Sequence, residues 1–142
     1  MIYTPKTKHA MRVAYHAHHG QTDKCDVPYI FHPIHLAEQM TDENTTIAAL
    51  LHNVAEDTDI TLTDLAAQGF PPEVLEALRL LTHEDGVEYM DYVAALKENP
   101  IARAVKIADL RHNSDSTRLD VLDELTTARE SKYARAIALL GA

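Results

Sequence analysis

An all-α fold is what this sequence predicts, for three reasons. Apolar residues recur at helical spacing along nearly the whole chain, no segment shows the alternation of a half-buried strand, and capping residues precede the helical segments. The chain has 142 residues, of which 46% are hydrophobic, so it is long enough to bury a core, and we interpret 1–142 as a single domain. We expect a bundle of about seven or eight helices.

The N-terminal part is predicted to contain a helix, a loop and a second helix. The positions i, i+3, i+4 and i+7 of 6–19 hold apolar residues, which favours a helix there. A polar loop over 20–29 follows. The pair His32-Pro33 is expected to open a short helix, with Pro in its first position, that ends near Met40.

The middle of the chain shows several helix boundaries. Asn44 or Thr45 is expected to cap the third helix. Thr61 and Asp64 have the spacing of a capping box, and Gly69 is typical of a helix end. The remaining helices are predicted over 71–81, 87–97, 100–113 and 120–140.

Charge and composition exclude several function classes. Asp and Glu total 22 against 13 Lys and Arg, the formal charge is −9, and no basic stripe is present, so we expect no nucleic acid polymer as a partner. The sequence has no apolar run long enough for a membrane span and no signal-peptide core. With the single Cys25, these features favour a cytoplasmic protein that does not act at a membrane. Nothing in the composition fixes an oligomeric state.

One apolar helical segment, ALLHNVAEDT, carries an unusual polar patch. At about 100° per residue, His52 lies about 40° from Glu56 and Asn53 about 40° from Asp57, so all four fit within about 140°. The other residues of this helix are apolar, which predicts that the helix is buried and that the patch lines a pocket. A metal ion, an ion pair or a water-filled active site would offset the cost of burying these groups.

A second polar face lies in VKIADLRHN. Lys106, Asp109 and Asn113 stand at i, i+3 and i+7 and therefore share one side of a helix. Asp109 is a candidate metal ligand, and a buried ion pair with Lys106 or Arg111 is the structural alternative.

A third segment, PYIFHPIH, places His32 at a helix start. His35, three residues later, is either an alternative ligand or a histidine at the edge of the core. Together the three segments supply two imidazoles, a carboxylate and an amide, which suit a divalent metal of intermediate hardness.

The segments HPIHLAEQM, ALLHNVAEDT and VKIADLRHN resemble the HD-domain metal-dependent phosphohydrolases. The resemblance is to the hydrolase domain of RelA/SpoT-like alarmone enzymes and to the small stand-alone alarmone hydrolases, and it runs from about Ala14 to Leu119. It implies an HD-domain helical bundle and a divalent metal, commonly Mn²⁺. It also implies removal of pyrophosphate from the 3′ position of a nucleotide such as guanosine tetraphosphate, or hydrolysis of a related phosphorylated small molecule.

Carried over position by position, the resemblance implies a role for each matching residue. His32, His52 and Asp109 match the metal ligands, and Glu56 and Asp57 match the pair that orients or deprotonates the attacking water. The chemistry is consistent with this set, because a bound metal lowers the pKa of water and nearby carboxylates accept its proton.

The substrate side of the motif is partly different. Lys24 and Asn113 match substrate-binding positions, but Asp23 stands where these hydrolases usually have Arg and Asp26 where they usually have Gly. Asn53 replaces the Asp of the HD dipeptide. Its amide oxygen can coordinate a metal but adds no charge, so we expect a more weakly held cation.

Asn53 also leaves two other interpretations open. The chain is either a phosphohydrolase or a catalytically impaired HD pseudoenzyme that senses a nucleotide or binds a partner. A substitution introduced to stop turnover would leave the same sequence.

Overall fold

Eight α-helices and one short 3₁₀-helix build the part of the chain described by the structure, a computed structural model that covers 1–120 and 124–142. Within these residues the only β-type pairing is an isolated bridge between Thr22 and Pro28. The all-α prediction is therefore confirmed. The helices are α1 (Pro5–Ala17), α2 (Phe31–Glu38), α3 (Glu43–Asp57), α4 (Leu62–Ala67), α5 (Pro72–Leu81), α6 (Tyr89–Leu96), α7 (Pro100–Asn113) and α8 (Glu124–Leu139), with the 3₁₀-helix at Ser116–Arg118 between α7 and α8.

Helix α3 lies at the centre of the bundle and packs against α1, α2, α5 and α7. Its residues 45–54 are all buried, and Ile47, Leu50, Leu51 and Val54 are fully enclosed. A helix that is apolar on nearly every side is stable only when neighbours surround it. The polar residues of this helix that lie within 45–54 are therefore carried into the interior, as the sequence predicts.

The prediction of the α3 cap was wrong. The N-cap is Asp42, whose carboxylate accepts a hydrogen bond from the backbone N–H of Thr45 at 2.8 Å. Asn44 and Thr45 lie inside the first turn. Asp is as good a cap as Asn, and it precedes both candidates, so the helix gains two residues at its start.

Helix α2 begins two residues before Pro33, the predicted first position. Phe31 opens it and Pro33 occupies the third position, not the first. This is allowed because the first four N–H groups of a helix have no partner within the helix, so a missing N–H costs nothing there. His32 consequently lies within the first turn.

The other boundaries are close to the predictions. The capping box of Thr61 and Asp64 is present, Gly69 follows α4 with φ +90°, and α7 has the predicted bounds. The helix predicted over 120–140 is present from Glu124 to Leu139, while 121–123 lie outside the described residues. No helix in the described part is long and apolar enough to cross a membrane.

Candidate metal centre and substrate cavity

Three helices bring His32, His52 and Asp109 together. His32 comes from the first turn of α2, His52 from the buried part of α3 and Asp109 from α7, and one donor atom of each lies within 4.8 Å of the other two. Each residue is at most 7% exposed. In the described part of the chain, no other three His, Cys, Asp or Glu side chains form such a group.

The orientation of His52 favours a cation at this point. Its Nδ1–H donates to the carbonyl oxygen of Ala49 at 2.8 Å, and because a carbonyl only accepts, the neutral ring has a lone pair on Nε2. That nitrogen is buried without a hydrogen-bond partner and lies 3.6 Å from Asp109 Oδ1. A lone pair that faces a carboxylate oxygen is repelled by it unless a cation lies between them.

Both carboxylate oxygens of Asp109 have polar partners. Its Oδ1 lies 2.9 Å from His32 Nε2 and accepts from Asn113 Nδ2 at 3.2 Å, while its Oδ2 accepts from Lys106 Nζ at 3.2 Å. The predicted ion pair with Lys106 therefore exists alongside the ligand group, so the two interpretations of Asp109 are compatible. Arg111, the other predicted ion-pair partner, is exposed.

The protonation states at the centre suit metal binding. Burial raises the pKa of the Asp109 carboxyl, but the hydrogen bond from His32, the nearby His52 ring and the charge of Lys106 outweigh it and hold that pKa well below its usual range. Burial lowers the pKa of His32 despite its hydrogen bond to Asp109. An ionised carboxylate and neutral imidazoles are the forms that bind a metal.

Asn53 is buried beside His52, and its Nδ2 has no hydrogen-bond partner. That nitrogen is an N–H donor and lacks an acceptor, so it says nothing about a cation. Two imidazole nitrogens and one carboxylate oxygen form a donor set that fits a divalent cation of intermediate hardness.

The structure separates the predicted polar patch of α3 into two parts. His52 and Asn53 are buried, whereas Glu56 and Asp57 lie exposed at the end of the helix. Glu56 accepts a hydrogen bond from the backbone N–H of His83 at 3.1 Å. Neither carboxylate belongs to the donor group, so the four residues do not form one buried patch.

A cavity of about 390 Å³ opens next to the donor group, and His32 lies in its wall. The predicted substrate residues Lys24 and Asn113 both line it. So does Tyr29, whose pKa is raised first by burial and then by the charges of Asp57, Asp109 and Glu56. The carboxylates at the end of α3 thus act on the wall of this cavity, although they do not line it.

Sequence reasoning missed much of the cavity wall, including two arginines and a tyrosine. Arg118 comes from the 3₁₀-helix, and Arg129 and Tyr133 come from α8. No local pattern indicates them, because only the packing of the C-terminal segment brings them opposite Lys24.

The structure of the loop before α2 shows how Asp23 and Asp26 are accommodated. Asp23 Oδ1 accepts from the backbone N–H groups of Cys25 and Val27 at 2.8 and 3.1 Å, and its Oδ2 lies 3.8 Å from an Arg118 nitrogen. Asp26 has φ +64°, a left-handed conformation that favours Gly and that Asp tolerates better than most residues. The loop therefore keeps a turn suited to Gly, and Arg118 brings a guanidinium group next to Asp23.

His112 stands behind the donor group. Its Nδ1 lies 2.6 Å from Nδ1 of His32, and its backbone carbonyl accepts from Arg118 at 2.7 Å. Burial and the positive charge of Arg118 lower the pKa of His112 to about 4. His35 is exposed, lies outside the donor group and stacks on the His112 ring with centroids 4.1 Å apart, so the structure does not support it as an alternative ligand.

Comparison with known families gives the class of the protein. Residues 10–129 match the family model described as the HD domain. The chain belongs to the HD domain family.

Several characterised proteins are similar to this chain. The bifunctional (p)ppGpp synthase/hydrolase SpoT of Escherichia coli is 39% identical over 98 residues, a region that covers 66% of this chain but 14% of SpoT. The guanosine-3′,5′-bis(diphosphate) 3′-pyrophosphohydrolase of Aquifex aeolicus is 30% identical over 142 residues, covering 92% of this chain and 19% of that protein. The chain thus spans less than a fifth of these two relatives.

A shorter relative and a solved structure match over more of their length. The Drosophila melanogaster pyrophosphohydrolase MESH1 is 28% identical over 129 residues, which is 83% of this chain and 72% of that protein. The solved structure of a metazoan ortholog of SpoT superimposes with a TM-score of 0.77 at 24% identity, covering 100% of this chain and 89% of that one. The two chains share a fold.

Proposed function

We propose that this protein is a metal-dependent phosphohydrolase that removes pyrophosphate from a nucleotide such as guanosine tetraphosphate. One observation supports this above the others: His32 belongs both to the buried donor group and to the wall of the cavity. A metal held by the donor group would therefore be able to contact a substrate bound in the cavity. The names of the relatives in Escherichia coli, Aquifex and Drosophila, which describe (p)ppGpp hydrolases, support the same substrate class.

In this proposal His32, His52 and Asp109 hold a divalent cation, and the amide oxygen of Asn53 completes their set. Mn²⁺ is the first candidate, because it accepts both imidazole and oxygen donors. When bound, the metal supplies a more acidic water and neutralises phosphate charge. Since Asn53 carries no charge, Asp109 is the only anionic ligand.

Glu56 and Asp57 are proposed to orient the attacking water and to accept its proton. Both are exposed at the end of α3, and both act electrostatically on Tyr29 in the cavity wall. A carboxylate that remains ionised near the bound substrate can serve as a general base.

The substrate is proposed to bind through the charged wall. Lys24, Arg118 and Arg129 supply positive charge for phosphate groups, and Asn113 offers its amide next to the donor group. The same wall carries Asp23, Asp115 and Glu130, so the cations would act as separate phosphate contacts and not as a positive surface of the kind a nucleic acid polymer needs.

The test is release of pyrophosphate from guanosine tetraphosphate with Mn²⁺, measured for the unaltered chain and for Asn53→Asp. Asp57→Asn is the matched control, because it removes one proposed water-activating carboxylate and leaves the buried donors intact. Turnover by the unaltered chain and by Asn53→Asp, lost in Asn53→Asp/Asp57→Asn, is the expected result. No turnover by the unaltered chain, with Mn²⁺ bound and the fold intact, would contradict the proposal.

Asn53 favours a second candidate, a nucleotide-sensing or partner-binding module. Residue 53 would bring an uncharged amide to the ligand set, so the cation would be held less tightly than by a carboxylate. This candidate predicts that the unaltered chain binds guanosine tetraphosphate without hydrolysing it. A cytoplasmic location and a single domain over 1–142 stay predictions from the sequence.

A further inference from the structure

Two histidine rings meet edge to edge behind the donor group. Nδ1 of His32 lies 2.6 Å from Nδ1 of His112, the ring planes are 9° apart and the ring centroids are separated by 4.9 Å. Nearly coplanar rings at this distance form an in-plane hydrogen bond. One nitrogen must carry the hydrogen, and the other must accept with its lone pair.

His32 has a choice that His52 does not have. The carbonyl of Ala49 accepts the Nδ1–H of His52, which leaves the Nε2 lone pair of that ring free. His32 has partners on both sides, with Asp109 Oδ1 at 2.9 Å from its Nε2 and His112 at its Nδ1. A neutral imidazole has one ring hydrogen, so only one of these two contacts can use His32 as the donor.

We propose that His112 is a positioning residue of the metal centre: its Nδ1 accepts the Nδ1–H of His32 and so leaves Nε2 of His32 free to bind a divalent cation. The inference rests on the metal centre of the proposed function but not on its substrate. Metal-binding histidines usually donate their second N–H to a carboxylate, a carbonyl or a water, and here a neutral imidazole takes that place.

His112 is held firmly enough for this role. It follows Asp109 by three residues on α7, so both side chains share the face that meets α2. Its backbone carbonyl accepts a hydrogen bond from Arg118 at 2.7 Å. One edge of its ring meets His32, and its face stacks on His35. The helix and these two contacts fix where Nδ1 points.

Hydrogen atoms balance when the cation binds. Without metal, His112 Nδ1–H donates to His32 Nδ1, and His32 Nε2–H donates to Asp109. With metal, the hydrogen of His32 is on Nδ1 and that of His112 is on Nε2. Each ring keeps one hydrogen throughout, so the pair changes tautomer without a net loss of protons.

Two substitutions separate the hydrogen bond from the ring packing. His112→Asn keeps an acceptor oxygen close to the position of Nδ1, whereas His112→Phe keeps a ring against His35 and removes the acceptor. Mn²⁺ affinity is measured by electron paramagnetic resonance for both variants and for the unaltered chain. We expect His112→Phe to bind Mn²⁺ about tenfold or more weakly, and His112→Asn to stay within about threefold of the unaltered chain.

Nitrogen-15 NMR of the unaltered chain loaded with Zn²⁺, which is diamagnetic, gives a second readout. A hydrogen on Nδ1 of His32 is expected, and a hydrogen found on Nε2 would overturn the proposal even if His112→Phe does not fold. Equal Mn²⁺ affinities of the unaltered chain and His112→Phe, or equal losses in both variants, would overturn it as well. Absence of Mn²⁺ binding by the unaltered chain would overturn both the inference and the proposed function, whereas binding without hydrolysis would affect the proposed function alone.

Discussion

The floor and the rim of the cavity are built in different ways. We call the buried donor group next to the cavity its floor: His32, which lies in the cavity wall, with His52 and Asp109 behind it, from three packed helices. The rim consists of Lys24 on the loop before α2 and Arg118 on the 3₁₀-helix, and both side chains are more accessible to solvent.

The packing of the helices therefore constrains the floor residues more strongly than the rim residues. Each floor residue is buried among three packed helices, so a change there disturbs packing and metal binding together. At the rim, Asp23 lies 3.8 Å from Arg118, and the loop that carries it is closed by the bridge between Thr22 and Pro28. Substrate preference can therefore change at the rim while the floor stays the same.

The largest effect is expected for Asp109→Ala at the floor. Lys106 would stay buried without its carboxylate partner, which costs about 3–5 kcal/mol of unfolding free energy, and Mn²⁺ binding would be lost. Urea unfolding measures the first effect. Lys24→Ala at the rim should change the unfolding free energy by less than about 0.5 kcal/mol. Similar losses for the two variants would remove the contrast between floor and rim.

Asn53→Asp should change the metal affinity most without loss of fold. A second negative charge in the buried set attracts the cation directly, so we expect Mn²⁺ to bind at least about tenfold more tightly. Isothermal titration calorimetry measures the affinity, with Asn53→Ser as a smaller, uncharged control. An unchanged affinity for Asn53→Asp would place residue 53 outside the ligand set.

Arg118→Ala tests the contribution of the rim to substrate binding. A partly exposed guanidinium–phosphate contact contributes about 1 kcal/mol, so KM for guanosine tetraphosphate should rise about fivefold, measured in Asn53→Asp if the unaltered chain is slow. The Mn²⁺ affinity should fall less than it does for His112→Phe, because Arg118→Ala removes one contact to the His112 carbonyl but leaves the ring in place. Arg111→Ala, an exposed arginine of α7 outside the cavity wall, is the matched control. A rise in KM for Arg111→Ala as large as that for Arg118→Ala would point to general surface charge.

The smallest effect expected is a dependence of metal-free stability on pH. Burial lowers the pKa of His18 and His32 below the ordinary value near 6.5, so the unfolded chain binds more protons than the folded one. This contribution is present above about pH 6.5 and is lost as the pH falls toward the folded pKa values. The midpoint temperature of unfolding should therefore drop by a few degrees between pH 7 and pH 5. A midpoint that rises over this interval would contradict the buried neutral histidines.

The difference between floor and rim also explains which features of the site the sequence could predict. Helical spacing is a local signal, so it placed α7 from Pro100 to Asn113 and put Lys106 and Asn113 on the face of Asp109, where both now contact it. The same spacing put His112 three residues after Asp109. The contact of His112 with His32 remained hidden, because it depends on how α2 docks against α7.

Non-local contacts account for the other differences. Arg118 and Tyr133 reach the cavity through the packing of the C-terminal segment, which no spacing rule describes. The cap of α3 was missed for a local reason, since Asp42, Asn44 and Thr45 are all good capping residues and the sequence does not rank them.

If the buried donors hold a divalent cation, the bound ion can be counted. Electron paramagnetic resonance of Mn²⁺ makes that count. His52→Ala is compared with His18→Ala, because His18 is another buried histidine whose Nε2 has no partner but which lies outside the donor group. The account predicts about one tightly bound ion per chain in the unaltered protein and in His18→Ala, and none in His52→Ala. Equal Mn²⁺ binding by both variants would contradict it.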